Sequence, residues 1–349
     1  EEWSAKGDAS KSIGLSGGEL TFQAGVKARW RTKSYDNDTL SYDKYNGTYT
    51  LSQVLGAQTY GLANISPVPS QTLPTAFYLA NKANFVLNVD DTTYNSAVED
   101  YRAREDVTAG YALARWDSDT LRVIGGVRVE HTYNKLSGNA VNDFDGTCGS
   151  NVCITPVGFE RNYTDWLPSV NVRFEPQSGL VLRGGVSRSI VRPNLKDLAP
   201  RFEINESDIS GRQVAFGNPD LQPYKAWNYD ASAEYYYSRH GAVSANFFHK
   251  DVKDFIATAY FQTPGTFAGT AYDQAYIPVN GQSAKVTGAE FSFNQLLSFL
   301  PAPLDGLLVQ FNYTYTDATG TLADGRHVPL PDASKNTFNT VLGYEKGKL

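Results

Sequence analysis

The stretch Trp227 to Tyr237, WNYDASAEYYY, alternates with a period of two. Trp227, Tyr229, Ala231, Ala233, Tyr235 and Tyr237 fall on one side, and Asn228, Asp230, Ser232, Glu234 and Tyr236 on the other. Such alternation marks a β-strand whose two faces meet different surroundings. The apolar face has aromatics at both ends and alanines in its middle, the reverse of a soluble sandwich, which concentrates bulk at the centre of its core. A bilayer explains the profile. Lipid meets the middle of the strand, while Tyr and Trp settle at the two interfaces, where an amphipathic ring keeps its polar atom wet.

The alternation recurs. Leu20, Phe22, Ala24, Val26, Ala28 and Trp30 oppose Thr21, Gln23, Gly25, Lys27, Arg29 and Arg31; Leu121, Val123, Gly125, Val127 and Val129 oppose Arg122, Ile124, Gly126, Arg128 and Glu130. Further strands are expected near 3–13, 105–116, 163–175, 180–190, 241–256, 285–295, 307–316 and 336–345, about eleven in all. Their connections alternate between two kinds. Short ones are LSGG (15–18), DSDT (117–120), QSG (177–179), SRHG (238–241) and LPAPLDG (300–306); long polar ones span about 33–104, 135–160, 192–224, 257–282 and 317–333. Strands running up and down then gather the tight turns at one end and the long loops at the other, the plan of an outer-membrane barrel. Two girdles follow: Trp30, Tyr133, Trp166, Trp227 and Tyr315 near the long loops, and Phe22, Phe174, Tyr235, Tyr237, Phe293 and Tyr344 near the short turns.

Composition agrees with this plan. Only 41% of residues are hydrophobic, while aromatics reach 13% with 22 Tyr, and no apolar run approaches the ~18 residues of a membrane helix. The net charge is -6 with signs interspersed, which gives nucleic acid no basic patch to bind. There is no Met, and the chain is expected to be a piece of a longer protein. The two cysteines, Cys148 and Cys153 in CGSNVC, suit a loop disulfide and an oxidising compartment better than a metal, which needs more ligands than this segment offers. No catalytic residue, cofactor or metal site is expected. GLSGG (14–18) matches a nucleophile elbow formally, but Ser16 links two strands where an elbow needs a strand-to-helix turn. His131, His240, His249 and His327 lack ligand spacing, and pairs such as Asp36 and Asp38 lack the pattern of a calcium loop.

Two sets of residues remain as functional candidates. On the inward face Lys27, Arg29, Arg122, Arg128, Arg173 and Arg183 accompany Glu130, Glu175, Asp230, Glu234 and Glu290. Charges in such a place need water, one another or a polar plug. In the loops, ligand contacts are expected from Tyr35, Tyr42 and Tyr45 within 34–50, from Arg201, Glu206 and Asp208 within 201–212, and from Tyr260, Phe261, Tyr272 and Tyr276 within 259–276.

The segment GNPDLQPYKAWNYDASAEYYYSRHGAVSANFFHKDVKDFI (217–256) closely resembles the barrel of TonB-dependent receptors. There an Asn-Pro-x-Leu-x-Pro turn leads into a descending strand, a tight turn and an ascending strand, matched here by Phe248, Lys250, Asp251, Lys253, Asp254, Phe255 and Ile256. LRVIGGVRVEHT (121–132), SRSIVRPNLKDLAP (187–200), GAEFSFNQLLSFLP (288–301) and LPDASKNTFNTVLGYEKG (330–347) extend the resemblance over most of the chain. It implies an all-β, antiparallel transmembrane β-barrel, with about eleven strands here of a plugged barrel of 22. The plug domain and C-terminal strands are expected to lie outside residues 1–349. It further implies a seat in the outer membrane of a Gram-negative bacterium, among its lipid and lipopolysaccharide. The implied partners are TonB with ExbB and ExbD, the protein's own plug, and a small-molecule ligand taken up with energy from the proton gradient. The style of the sequence favours an oligosaccharide; a ferric siderophore, or a passive porin-type channel, is the alternative.

Overall fold

The computed structural model describes residues 1–143, 148, 151–207, 211–322, 325–330 and 333–346. Among these, eleven strands of nine or more residues form one antiparallel meander. They are β1 (Glu2–Leu15), β2 (Gly18–Tyr35), β3 (Tyr101–Asp117), β4 (Leu121–Asp143), β5 (Val152–Gln177) and β6 (Leu180–Val191). The series continues with β7 (Tyr224–Ser238), β8 (Gly241–Lys253), β9 (Ser283–Leu296), β10 (Leu307–Thr321) and β11 (Asn336–Tyr344). Each pairs with the next in sequence, and among the described residues β1 pairs only with β2 and β11 only with β10. In two of the two-residue turns, β1–β2 and β5–β6, one residue takes a left-handed backbone, which Gly17 (φ 89°) and Gly179 (φ 81°) supply.

Register carries the alternation across the whole sheet. Trp30 lies beside Asp106, Asp106 beside Tyr133 and Tyr133 beside Asn162; Val26, Gly110, Val129 and Trp166 form a lower row of the same face. This outer face holds large apolar side chains in the open: Val26 is 66% exposed, Trp166 58% and Phe247 50%. The other, inner face carries the charges. Burial is therefore inverted along most of the meander, and the packed apolar clusters lie at its upper end and in the long connections that fold against it.

One expected loop is mostly strand. Residues 135–160 read as a long polar connection, yet β4 runs to Asp143 and β5 begins at Val152, paired without a break. The reason is that alternation persists above the girdle, with Leu136 buried inside and Val141 buried outside. The other long connections also hold structure. Residues 36–100 include helices α1 (Leu73–Asn81) and α2 (Val89–Ala97), and 192–223 include α3 (Leu195–Leu198). The end of β4 pairs in parallel with Phe202–Ser207, which leads through Gly211–Phe216 and Gln274–Asn280 to Ile256–Phe261. These four short strands stand above the meander as a blade.

Candidate functional site

The charged inner wall and the segment folded against its upper end make the site. Low on the wall, Arg115 and Arg122 both reach Asp117, Arg173 pairs with Glu175, and Arg183 meets Glu234 at 2.8 Å. Asn246 donates to Glu290 at 3.4 Å. Lys27 and Asp230 have no ion-pair partner among the described residues. Arg122, Arg173, Arg183, Asp230, Asn246 and Glu290 line a trough of about 570 Å³ on this concave side.

Higher on the wall the charges close into a chain. Arg29 Nη2 lies 2.6 Å from Glu105, Arg192 Nη2 lies 2.5 Å from Glu130, and Arg128 Nε lies 2.6 Å from the other oxygen of Glu130. Arg192 Nε stands 3.9 Å from Glu105, so one arginine bridges both carboxylates. It also donates to Thr132 at 3.1 Å. Asp165, with its side chain 2% exposed, holds Lys225 at 2.7 Å. Ion pairs like these offset the burial of charges that water reaches poorly, although Asp165 Oδ2, Arg29 Nε and Arg192 Nε have no hydrogen-bond partner among the described residues.

Arg192 opens the segment that covers this wall. Leu195, Leu198, Ala199 and Leu221 pack on Tyr101, Ala103 and Leu136, the inward residues of β3 and β4, so the two ends of this segment turn inward over the mouth. Asn218 fixes its far end: the side chain donates to the Pro278 carbonyl at 2.8 Å and accepts from the Asp220 N–H at 2.9 Å. Arg161 reaches the Leu221 carbonyl at 2.9 Å. Arg201 binds Glu99 at 2.7 Å, and Lys196 stands 3.6 Å from the same carboxylate. Burial opposes the charge on Glu99, yet the Arg201 hydrogen bond and both cations hold its carboxyl below the usual range. Burial dominates at Asp197, whose carboxyl is pushed up despite Lys196 and Arg201.

The first long connection goes the other way. In α2, Tyr94 and Ala97 pack on Val141 and Val152, outward residues of β4 and β5, and Asn139 donates to the Ala97 carbonyl at 3.0 Å. The expected ligand residues are thus divided. Tyr42 and Tyr45 sit in an aromatic cluster with Phe77, Tyr78 and Phe85, with ring centroids 4.7–6.1 Å apart. Tyr35 stacks on Tyr101. On the blade, Tyr260 and Tyr276 stack at 4.5 Å and stay exposed; Phe261 is also exposed but lies on the opposite face, where Tyr272 from the neighbouring hairpin packs against Phe216. Glu206 pairs with Arg212 through its backbone, and Asp208 lies outside the described residues. Cys148 and Cys153 are joined, with Cα atoms 5.8 Å apart. No group of three or more metal-binding side chains occurs among the described residues.

Sequence reasoning missed Glu105, Asp165, Arg192 and Lys225 as members of the wall. Glu105 lies between the apolar inward residues Ala103 and Val107, and Arg192 directly precedes a proline at a strand end. Those two anomalies were the available signals.

A family model described as TonB dependent receptor-like, beta-barrel, matches residues 3–349. An iron-regulated outer membrane virulence protein of Vibrio cholerae is 28% identical over 170 residues, covering 47% of this chain and 24% of its own length. The chain therefore spans about a quarter of that curated relative. Among solved structures, the ferric-catecholate import receptor Fiu of E. coli K12 superposes over 98% of this chain and 42% of its own, with TM-score 0.59 at 13% identity. The ferric citrate transporter FecA superposes over 99% of this chain and 40% of its own, with TM-score 0.58 at 15% identity.

Proposed function

The chain belongs to the TonB-dependent receptor-like β-barrel family, whose seat is the Gram-negative outer membrane, and from that premise we propose that it walls an energised importer of a ferric carrier. The observation that carries this reading is the two-sided meander, apolar outside and charged inside, matched to the family from end to end. Its outer face suits lipid. Its inner face, with the trough that Asp230 lines and with Lys27 higher up beside Arg128 and Glu130, suits a polar plug formed by another part of the same protein. TonB with ExbB and ExbD would pull on that plug, and no bond in the ligand is made or broken.

The cargo reading moves away from the oligosaccharide expected from sequence style. The curated relative is named for iron regulation and the two solved neighbours for ferric-catecholate and ferric citrate, so a ferric siderophore is the better-supported ligand. Exposed Tyr260 and Tyr276 are its proposed first contacts on the blade. Uptake of labelled ferric catecholate, ferric citrate and an oligosaccharide by cells carrying the full-length gene tests both parts. A ferric complex is expected to enter, and entry is expected to stop with an uncoupler or without TonB. Uptake indifferent to both treatments means a passive pore, and uptake of the oligosaccharide alone overturns the cargo.

A further inference from the structure

Between Lys44 and Lys82 the first long connection carries no charged side chain. Its apolar residues are not hidden. Leu51, Leu55, Leu62, Ile65, Leu73 and Leu79 are all exposed, Leu62 by 87% and Leu79 by 67%. Large apolar side chains gathered on an uncharged surface mark a place where another molecule docks. The surface beneath them is built. Tyr45 meets Phe85 at 4.7 Å and Tyr49 meets Phe77 at 4.8 Å between ring centroids, while Tyr42–Tyr45 pairs with Phe85–Leu87. Helix α1 turns Phe77 and Tyr78 into this cluster and leaves Leu73 and Leu79 outside it. Gln58 closes the loop that carries Leu62 and Ile65: its side-chain carbonyl accepts from the Ile65 N–H at 2.6 Å, and its amide donates to the Ala63 carbonyl at 3.1 Å. Side chains held in place before contact lose little entropy on docking.

Place and charge identify the occupant. With α2 resting on the outward residues Val141 and Val152, and Asn151 donating to Asp90 at 2.7 Å, the connection is carried on the outside of the wall, away from the mouth and its cargo. Anionic headgroups are recognised by cations, and residues 45–81 offer none. A second copy in the same membrane stands at the same height with the same side up, so a two-fold axis along the bilayer normal brings the identical patch of each copy together. An uncharged patch meets its own copy without like-charge repulsion. Its extent also fits. A standard interface takes about 20–30 residues from each partner, and residues 45–81 supply a run of that order.

We propose that residues 45–81 form an isologous contact through which two copies of the protein pair side by side in the outer membrane. Leu62 and Leu79, the most exposed leucines of the patch, are its anchors. The pairing does not depend on which cargo the protein imports.

The test is the mass of the full-length protein, read by sedimentation in mild detergent and by chemical cross-linking in intact cells. The wild type is expected to be a dimer. The variants L62E/L79E and L62K/L79K each set like charges against their own copies across the two-fold axis, and each is expected to dimerise about a hundredfold more weakly. Both positions are exposed, so the fold is expected to survive the change. Mixed together, the acidic and basic variants are expected to pair with each other, which only a contact between copies explains. A wild type that is monomeric in detergent and in cells overturns the proposal, as does a dimer unmoved by either double variant or a mixture that stays monomeric. A monomer whose 45–81 amides are protected from hydrogen exchange overturns it too, and assigns the patch to another part of the same protein.

Discussion

Glu105 shows what holds a charge on the inner wall. Its side chain is 3% exposed and accepts from Arg29, with Arg192 beyond, so the carboxylate is paired instead of solvated. Replacing one member of such a set strands the others. Glu105→Gln is expected to destabilise the protein by about 3 kcal/mol, read as a lowered unfolding midpoint in denaturant. Glu99 supplies a pH-dependent counterpart. Its folded carboxyl sits below its unfolded value, so its contribution is fully present above the unfolded value and is lost as pH falls through the folded one. Asp197 has the opposite sign, because its raised carboxyl favours the fold as it takes up a proton. With exchange corrected for the intrinsic pH dependence of amides, acidification is expected to lower protection in 192–200 through Glu99, and Glu99→Gln to leave only the Asp197 trend, protection that rises as pH falls; protection that still falls on acidification in the variant would point to another group. Neither glutamate was legible as a partner. The ion pairs join residues far apart in sequence, and period two assigns a face without assigning a neighbour.

The elements divide by what fixes them. All eleven long strands were legible, because alternation of side chains is a local property of each strand. The sides taken by the long connections were not. Residues 195–199 and Leu221 cover the inner wall and α2 the outer one, and the difference rests on whether apolar side chains meet Leu136 or Val141, positions of opposite sense five residues apart on β4. Gly217 is the tightest point of the inward segment, since a Cβ there would lie 1.7 Å from the Ala199 carbonyl oxygen. Gly217→Ala must push the two backbones apart, at a cost of about 1–3 kcal/mol. Hydrogen exchange should show the loss within 192–223 and leave the α2 side unchanged. Equal loosening on both sides would mean that the two coverings are coupled.

At the scale of the whole molecule, the inverted burial is the property to test. Val170 is 49% exposed on the outer face of β5, between Trp166 and Phe174. Against water an arginine there would cost little; against lipid, Val170→Arg is expected to cost about 2–4 kcal/mol. Urea unfolding of the full-length protein in bilayers measures the difference, and a change near zero would remove lipid from that face. What the sequence determined by itself follows from periodicity and turn length. Period two with aromatic ends made a membrane-facing wall, and alternating short and long connections made a meander. The tertiary structure alone decided that β4 and β5 rise past the girdle, that Arg192 joins Glu105 to Glu130, and that Tyr42 and Tyr45 are packed away from Tyr260 and Tyr276. The physical reason is range. A strand's two faces are set by its own geometry, whereas the partner of a side chain in a long connection is set by which distant surface can bury it.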